Sequence, residues 1–358
     1  MKNIIKATLV LLASVAVSTV TYAGDLAVTG TAKATFGFQS SDNAAATTEG
    51  DKGIGIANEI DFTASGEMDN GFTWKYQVQF DPGANTTAGD GAIDDSRLEI
   101  GTGYGTIGIY NSEGGLGQEF GHAAGAAYGA ALDSGDDQGL INDLDISAYS
   151  NIQYHTPAGL LPLNTSFKVA YAPSDDGTIA SSNARGTATG VGFSDVTQYQ
   201  IKTSPVEGLN IFADYIDFSS AKNVVSHKQE GGSLGATFAY GPVTLGAVKT
   251  VSQNAFDATQ DTLAAADIEG AITHKAAIGF AVNDDLSISY SRYKSQQKLL
   301  DSLVDQRNAN EAIMGESYQA AYSVGGMTLG ISRDLVENAD YTINRDEKET
   351  LASIKIAF

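Results

Sequence analysis

The stretch FTWKYQVQF, residues 72–80, decides the fold. Phe72, Trp74, Tyr76, Val78 and Phe80 are apolar, while Thr73, Lys75, Gln77 and Gln79 between them are polar. Successive side chains of a strand point to opposite sides, so this stretch is a β-strand with one apolar and one polar face. The same period of two recurs at 26–38, 54–68, 97–103, 106–110, 150–156, 165–171, 196–203, 209–218, 233–240, 243–251, 272–282, 286–293, 317–324, 327–335 and 351–358. With 72–80 these make sixteen strands, an even number. The last runs to Phe358, with Ala352, Ile354, Ile356 and Phe358 on one face and Leu351, Ser353, Lys355 and Ala357 on the other.

The connections sort into two kinds. Long polar segments lie at 39–53, 82–94, 111–148, 219–230, 253–271, 296–314 and 336–347. Between them fall tight turns at Asp69-Asn70-Gly71, Gly103-Tyr104-Gly105, 204–208, Gly241-Pro242, 283–285 and Gly325-Gly326. Gly, Asn and Asp at such positions favour short hairpins. All six prolines (82, 157, 162, 173, 205 and 242) fall at or beside a connection, where a missing N–H removes no ladder hydrogen bond. This predicts an up-and-down meander with its long loops at one end. A soluble sandwich would not sort its loops this way. Strands of about ten residues, apolar outside and polar inside, with short turns at one end and long loops at the other, describe a transmembrane β-barrel. Pairing strand 16 with strand 1 covers the last edge and puts Phe358 in the aromatic girdle.

Composition agrees. Gly numbers 40, Pro 6, and Tyr with Phe 30 against one Trp, a balance suited to many strands and tight turns. The formal charge of -22 argues against nucleic acid, which demands clustered Lys and Arg. No cysteine is present, so stability must come from a large sheet rather than disulfides. Residues 1–23 read as a signal peptide: Lys2 and Lys6, an apolar run from Ala7 to Val20, and Thr21-Tyr22-Ala23 at the cleavage site. That run is shorter than the roughly 18 residues of a spanning helix, so the reading predicts export, with residues 24–358 as one barrel domain. The mature charge is then -22 - 2 = -24.

Strand parity sends Lys33, Lys75, Arg97, Lys168, Lys202, Lys275 and Lys355 into the lumen, with Glu59, Asp61 and Glu99. Strands 1, 3, 4 and 16 are near one another in a closed barrel, so Lys33, Lys75, Arg97 and Lys355 are candidates for a basic patch on one wall. Arg292 and Arg333 have lipid-side parity near the outer strand ends, where a cation meets headgroups at little cost. Other chemistry finds no support. The histidines at 122, 155, 227 and 274 lack metal-ligand spacing. The Asp-rich segment 133–144 lacks the sixth-position Gly and final Glu of a calcium loop. Gly101, Gly103 and Gly105 join two strands with no helix following, unlike a dinucleotide loop. Neither cofactor nor metal is expected.

The hairpin SRLEIGTGYGTIGIY (96–110), the very long connection after it, the strand SNIQYHTP (150–157) and the terminal aromatic together resemble the general porins of Gram-negative outer membranes. The resemblance extends over the whole mature chain. It implies a 16-stranded antiparallel barrel whose loop after strand 5 folds inward and constricts the pore. In place of the Pro-Glu-Phe-Gly stretch of enteric members this chain has Gln118-Glu119-Phe120-Gly121. The loop carries Glu113, Glu119, Asp133, Asp136, Asp137, Asp143 and Asp145 and no Lys or Arg; facing the basic wall, these acids would set a field across the pore. The resemblance further implies a water-filled channel for passive diffusion of small hydrophilic solutes and ions, assembled as a homotrimer; the mature charge and the acidic loop predict that it prefers cations. Its partners would be outer-membrane lipid, lipopolysaccharide and, through Phe358, the barrel-assembly machinery. The alternatives are a substrate-selective channel, a surface adhesion or structural barrel with a plugged lumen, and a barrel enzyme. The last needs Ser, His and an acid converging at the wall, which the dispersed histidines disfavour.

Overall fold

The structure is a computed structural model and describes residues 24–41, 52–80, 93–111, 113–118, 145–173, 193–220, 229–253, 268–299, 311–341 and 343–358. Among these, the strands in chain order are β1 (Asp25–Ser41), β2 (Lys52–Glu67), β3 (Thr73–Phe80), β4 (Ile93–Thr102), β5 (Gly105–Asn111), β6 (Asn151–His155), β7 (Ser166–Ala172) and β8 (Phe193–Val206). They continue as β9 (Leu209–Ser220), β10 (Glu230–Tyr240), β11 (Val243–Gln253), β12 (Ile268–Ala281), β13 (Leu286–Leu299), β14 (Ile313–Val324), β15 (Met327–Glu337) and β16 (Glu347–Ala357). Each pairs antiparallel with its successor and β16 pairs with β1, giving a closed barrel of sixteen strands. Closure removes both free edges, which an open sheet of this length would expose.

The seam is sealed by the chain end. Gly30 N–H donates to Phe358 O at 2.9 Å and Phe358 N–H to Gly30 O at 3.0 Å. The Phe358 ring lies over Gly30, where an added Cβ would stand 2.8 Å from the ring; only glycine lets the terminal aromatic settle there. At the turn end, Gly325 and Gly326 have φ of 55° and 83°. Two successive positive φ values are what the tight hairpin between β14 and β15 requires.

The packing is inverted relative to a water-soluble protein. Gln153, Gln198, Gln200, Thr273, Ser295, Ser317 and Ser332 are buried, whereas Ile56, Leu98, Ile109, Ile288, Leu329, Ile354 and Phe358 are exposed. The alternation runs along single strands, as in β14, where buried Ile313, Gly315, Ser317, Gln319 and Ala321 alternate with outward Met314, Glu316, Tyr318, Ala320 and Tyr322. Removing each outward Leu or Ile from water is worth roughly 1.5–3 kcal/mol, so this surface belongs in hydrocarbon while the polar face encloses the lumen.

Several strands reach further into the long-loop end than the sequence pattern predicts. β1 extends to Ser41, β2 begins at Lys52, β8 at Phe193, β12 at Ile268, and β13 reaches Leu299. Beyond the hydrocarbon both faces meet water, so hydrogen-bonded pairing continues without apolar alternation to mark it. On the opposite end, the 156–165 connection is longer than a tight turn and carries Leu163 and Asn164 at φ of 58° and 50°.

Candidate functional site

Inward-facing charge from many strands lines the lumen, and its β2–β4 wall is organised around one residue. Register places Asp61 opposite Gln79, Gln77 opposite Arg97, and Lys75 opposite Glu99. Gln77 Nε2 donates to Asp61 Oδ1 at 2.8 Å, and Arg97 donates to Gln77 Oε1. The other arm of Arg97 reaches Glu113 Oε1 at 2.8 Å. A polar chain thus runs from β2 across β3 and β4 to the start of the β5–β6 connection. Beside it Tyr110 donates to Glu99 Oε1 at 2.6 Å. Burial pushes the Glu113 carboxyl above the usual range, with Arg97 and Lys75 pulling down and Glu99 and Asp61 pushing up.

The described ends of the β5–β6 connection lie against inward side chains of distant strands. Asn151 Nδ2 donates to the carbonyls of Glu113 at 3.2 Å, Ile146 at 3.3 Å and Tyr149 at 2.9 Å. Gln153 donates to Gly114 O, and Gln200 Nε2 to Leu116 O at 2.9 Å. Gln118 N–H donates to Asp214 Oδ2 at 2.8 Å, and Ile146 N–H to Gln198 Oε1 at 2.8 Å. Segment 113–118 therefore passes from the β4–β5 wall to β8 and β9. Gly114, at φ +80°, lets it clear Tyr110 and Gln153. Leu116 and Ile146 pack with Ala170, Ala172, Val196, Ile216 and Phe218 in a buried apolar cluster. The crossing from β5 to β8 and β9 is held by side-chain amides and the Asp214 carboxylate because an irregular segment inside a barrel must still satisfy its backbone groups.

Of the acids predicted for this connection, Glu113 meets Arg97 as described. Asp145 turns to its own backbone, accepting from Gly117 N–H and from Ser147 N–H at 2.8 Å, and so joins the two ends of the connection while capping the 3-10 turn Ile146–Ala148. Glu119, Asp133, Asp136, Asp137 and Asp143 lie outside the described residues. Of the predicted wall bases, Arg97 and Lys75 share the Glu113 environment. Lys33 and Lys355 oppose one another directly across the β1–β16 seam, on the inward face but apart from that chain of contacts. The sequence reading passed over the anchors Asn151, Gln153, Gln198, Gln200 and Asp214; the inward Gln pair within DVTQYQIK was the available signal. Among the described residues no group of three or more His, Asp and Glu is arranged to hold a metal ion.

A second connection also packs inward. At Ala339–Tyr341 the link from β15 to β16 forms a 3-10 turn, and Ala339 and Tyr341 are buried with Tyr293, Ile313 and Val336. Tyr341 Oη lies 2.7 Å from Ser295 Oγ.

A closed sixteen-stranded barrel with an apolar exterior and a charged interior is a membrane channel protein. Residues 7–328 match the family model described as Gram-negative porin, so the chain belongs to that family. It is an outer-membrane channel and not an enzyme. No protein of curated function matches the sequence. Among solved structures, OmpF of Salmonella typhi in complex with daunomycin is similar at 14% identity and a TM-score of 0.66, covering 94% of this chain and 98% of that one. An anion-selective porin from Comamonas acidovorans is similar at 11% identity and a TM-score of 0.64, covering 94% and 100%. The OmpT loop L8 deletion mutant of Vibrio cholerae is similar at 12% identity and a TM-score of 0.60, covering 94% and 100%.

Proposed function

We propose that the protein is a general porin, a water-filled channel through which small hydrophilic solutes and ions diffuse passively, with preference for cations. The observation that carries this reading is the Arg97–Glu113 contact, because it ties an acid-rich connection to a basic wall inside a polar lumen. Opposed rows of fixed charge set the field that permeating ions cross. On this reading the β5–β6 connection narrows the pore, with Glu113 and the acids at 119, 133, 136, 137 and 143 facing Arg97 and Lys75 and, at the β1–β16 seam, Lys33 and Lys355.

Residues 1–23 serve as the export signal in this proposal, and the barrel assembles as a homotrimer surrounded by outer-membrane lipid and lipopolysaccharide. Phe358, seated on Gly30 at the seam, is the feature that the barrel-assembly machinery would engage. The test is single-channel recording of the refolded mature chain in a planar bilayer under a salt gradient. Stepwise openings in groups of three and a cation-favouring reversal potential are the expected result. A folded but silent barrel overturns the channel reading, and an anion-favouring potential overturns the selectivity.

A further inference from the structure

The basic residues of the lumen are not all matched by acids. On the β2–β4 wall Arg97 meets Glu113, and Lys75 stands opposite Glu99 in register. A second basic group lies on β6–β8, at the tight-turn end of the lumen. His155 ends β6, Lys168 is near the start of β7, and Lys202 is near the end of β8. Each stands two residues along its strand from a buried inward residue, Gln153, Ala170 and Gln200 respectively, and so shares the inward face.

Adjacent-strand register makes them one patch. His155 pairs directly with Lys168. Lys168 is diagonal to Lys202, because Lys168 pairs with Gln200 and Ser166 with Lys202. Direct cross-strand neighbours have Cβ atoms about 5 Å apart and diagonal ones lie about 7–8 Å apart, so long side chains from all three positions reach a common point. Thr106 opposite His155 and Ser166 opposite Lys202 add hydroxyls on the same face. Among the described residues, neither lysine forms an ion pair or a hydrogen bond. The acid whose charge reaches His155 and Lys168 is Glu99, and its carboxylate is already engaged by Tyr110 Oη at 2.6 Å. Like charges on neighbouring strand positions repel; a small anion held between them turns that repulsion into attraction, with three N–H donors on each ammonium to bind it.

The docked connection orders the third member of the patch. Gln153 Nε2 donates to Gly114 O and, at 2.9 Å, to Asn151 Oδ1. Its Oε1 is therefore the acceptor in the 2.8 Å contact with His155 Nε2. That contact assigns the imidazole proton to Nε2 and leaves Nδ1 for a solute, as acceptor of an acidic O–H or, once protonated, as a further donor. Gln153 and Gln200 also hold segment 113–118, and His155 and Lys202 follow them by two residues toward the tight turns. The patch thus lies immediately on the turn side of the β5–β6 connection, on the wall where that connection docks.

We propose that His155, Lys168 and Lys202 form a binding subsite for a small dianionic solute, a dicarboxylate or a phosphate monoester, beneath the docked connection. The inference rests on the channel reading and adds a solute class to it: the acidic connection sets the preference among simple ions, and the subsite gives a dianion a place to bind in the lumen. The test uses the refolded mature chain in detergent micelles at constant ionic strength, titrated with succinate, with methyl phosphate, or with acetate as the monoanionic control. Binding is read from the broadening of the solutes' own proton and phosphorus NMR lines. A dianion is expected to bind roughly tenfold tighter than acetate, because its second charge makes a further charge-assisted hydrogen bond. Preference for succinate assigns dicarboxylates, and preference for methyl phosphate assigns phosphate esters. The double variant Lys168→Gln, Lys202→Gln is expected to lose the advantage over acetate. Dianions that bind no tighter than acetate, or undiminished binding in the double variant, overturn the proposal. The single variant Lys202→Gln, at an exposed lumenal position, should weaken dianion binding severalfold and decides the matter if the double variant does not fold. The measurement needs no open pore. A conducting barrel without dianion preference sinks the subsite alone, and a silent barrel that still binds dianions through the two lysines sinks the channel reading alone.

Discussion

Replacing Glu113 with Gln isolates the charge at the centre of the candidate site. The amide keeps the shape and can still accept from Arg97, so the change removes one negative charge with little cost in packing. A unit charge about 5 Å from a permeating ion in water contributes about 0.8 kcal/mol. Screening with a Debye length of about 10 Å at 0.1 M salt reduces this to about 0.5 kcal/mol. Cations lose about 0.5 kcal/mol of attraction and anions about as much repulsion; since about 1.4 kcal/mol is a factor of ten, cation permeability relative to anions should fall roughly fivefold. The assay is the reversal potential under a salt gradient centred near 0.1 M, repeated near 1 M, where a Debye length of about 3 Å should erase most of the effect. The variant Arg97→Gln should move the ratio in the opposite direction. A Glu113→Gln barrel with wild-type selectivity at low salt would refute the reasoning, because it would mean that permeating ions do not pass this carboxylate.

The pH dependence has a definite sign. Burial raises the Glu113 value, so its charge is present above that raised value and is lost as pH falls through it; cation preference should decline on acidification before ordinary glutamates titrate, and the decline should be absent in Glu113→Gln. Asn151→Ala removes the donor to the carbonyls of Glu113, Ile146 and Tyr149. Leaving buried acceptors unsatisfied costs about 1–3 kcal/mol, to be seen as noisier single-channel currents and faster proteolysis of the connection, whereas quiet currents would show that the anchor is redundant. Ile146→Ala opens a gap in the apolar cluster beneath the same connection, and a loss of about 2–5 kcal/mol in unfolding free energy is expected from core truncations of this kind. Gly30→Val sets a branched side chain where the Phe358 ring rests and should slow refolding of the barrel, as followed by the rate at which heat-stable folded species accumulate.

The barrel was legible because its lipid-facing half obeys one rule at every other residue, and Phe72 to Phe80 display it without exception. Where that rule stops applying, so does legibility. At the ends of β12 and β13 Ile268 pairs with Leu299, Gly270 with Lys298 and Ala271 with Gln297, yet the sequence there carries no apolar period of two to announce a strand. Arg97 could be chosen from its hairpin and its parity, but its partners could not: Gln77 and Glu113 come from either side of it in the chain. The anchors were the least legible. Gln198 meets Ile146 across 52 residues and Gln200 meets Leu116 across 84, and nothing local distinguishes a lumenal Gln that wets the pore from one that holds a connection.

One signal does separate the two, and it follows from what a lumen is for. A wall that faces water has no reason to carry apolar side chains, so an apolar residue with inward parity marks a place where something other than water lies against the wall. Val196, Ile216 and Phe218 are inward on β8 and β9 and are buried beneath Leu116 and Ile146. Tyr293, Ile313 and Val336 are inward on β13–β15 and are buried beneath Ala339 and Tyr341. Strands β6–β9 and β13–β15 lie on opposite sides of the ring. The two apolar patches therefore flank the lumen, and both are covered by connections from the long-loop end. The polar wall left between them, from β2 to β4, is where Asp61, Gln77, Arg97 and Glu113 form their chain. Inward apolar residues thus gather where the two connections dock, and the polar wall between them is the stretch that the Glu113 reversal-potential experiment probes.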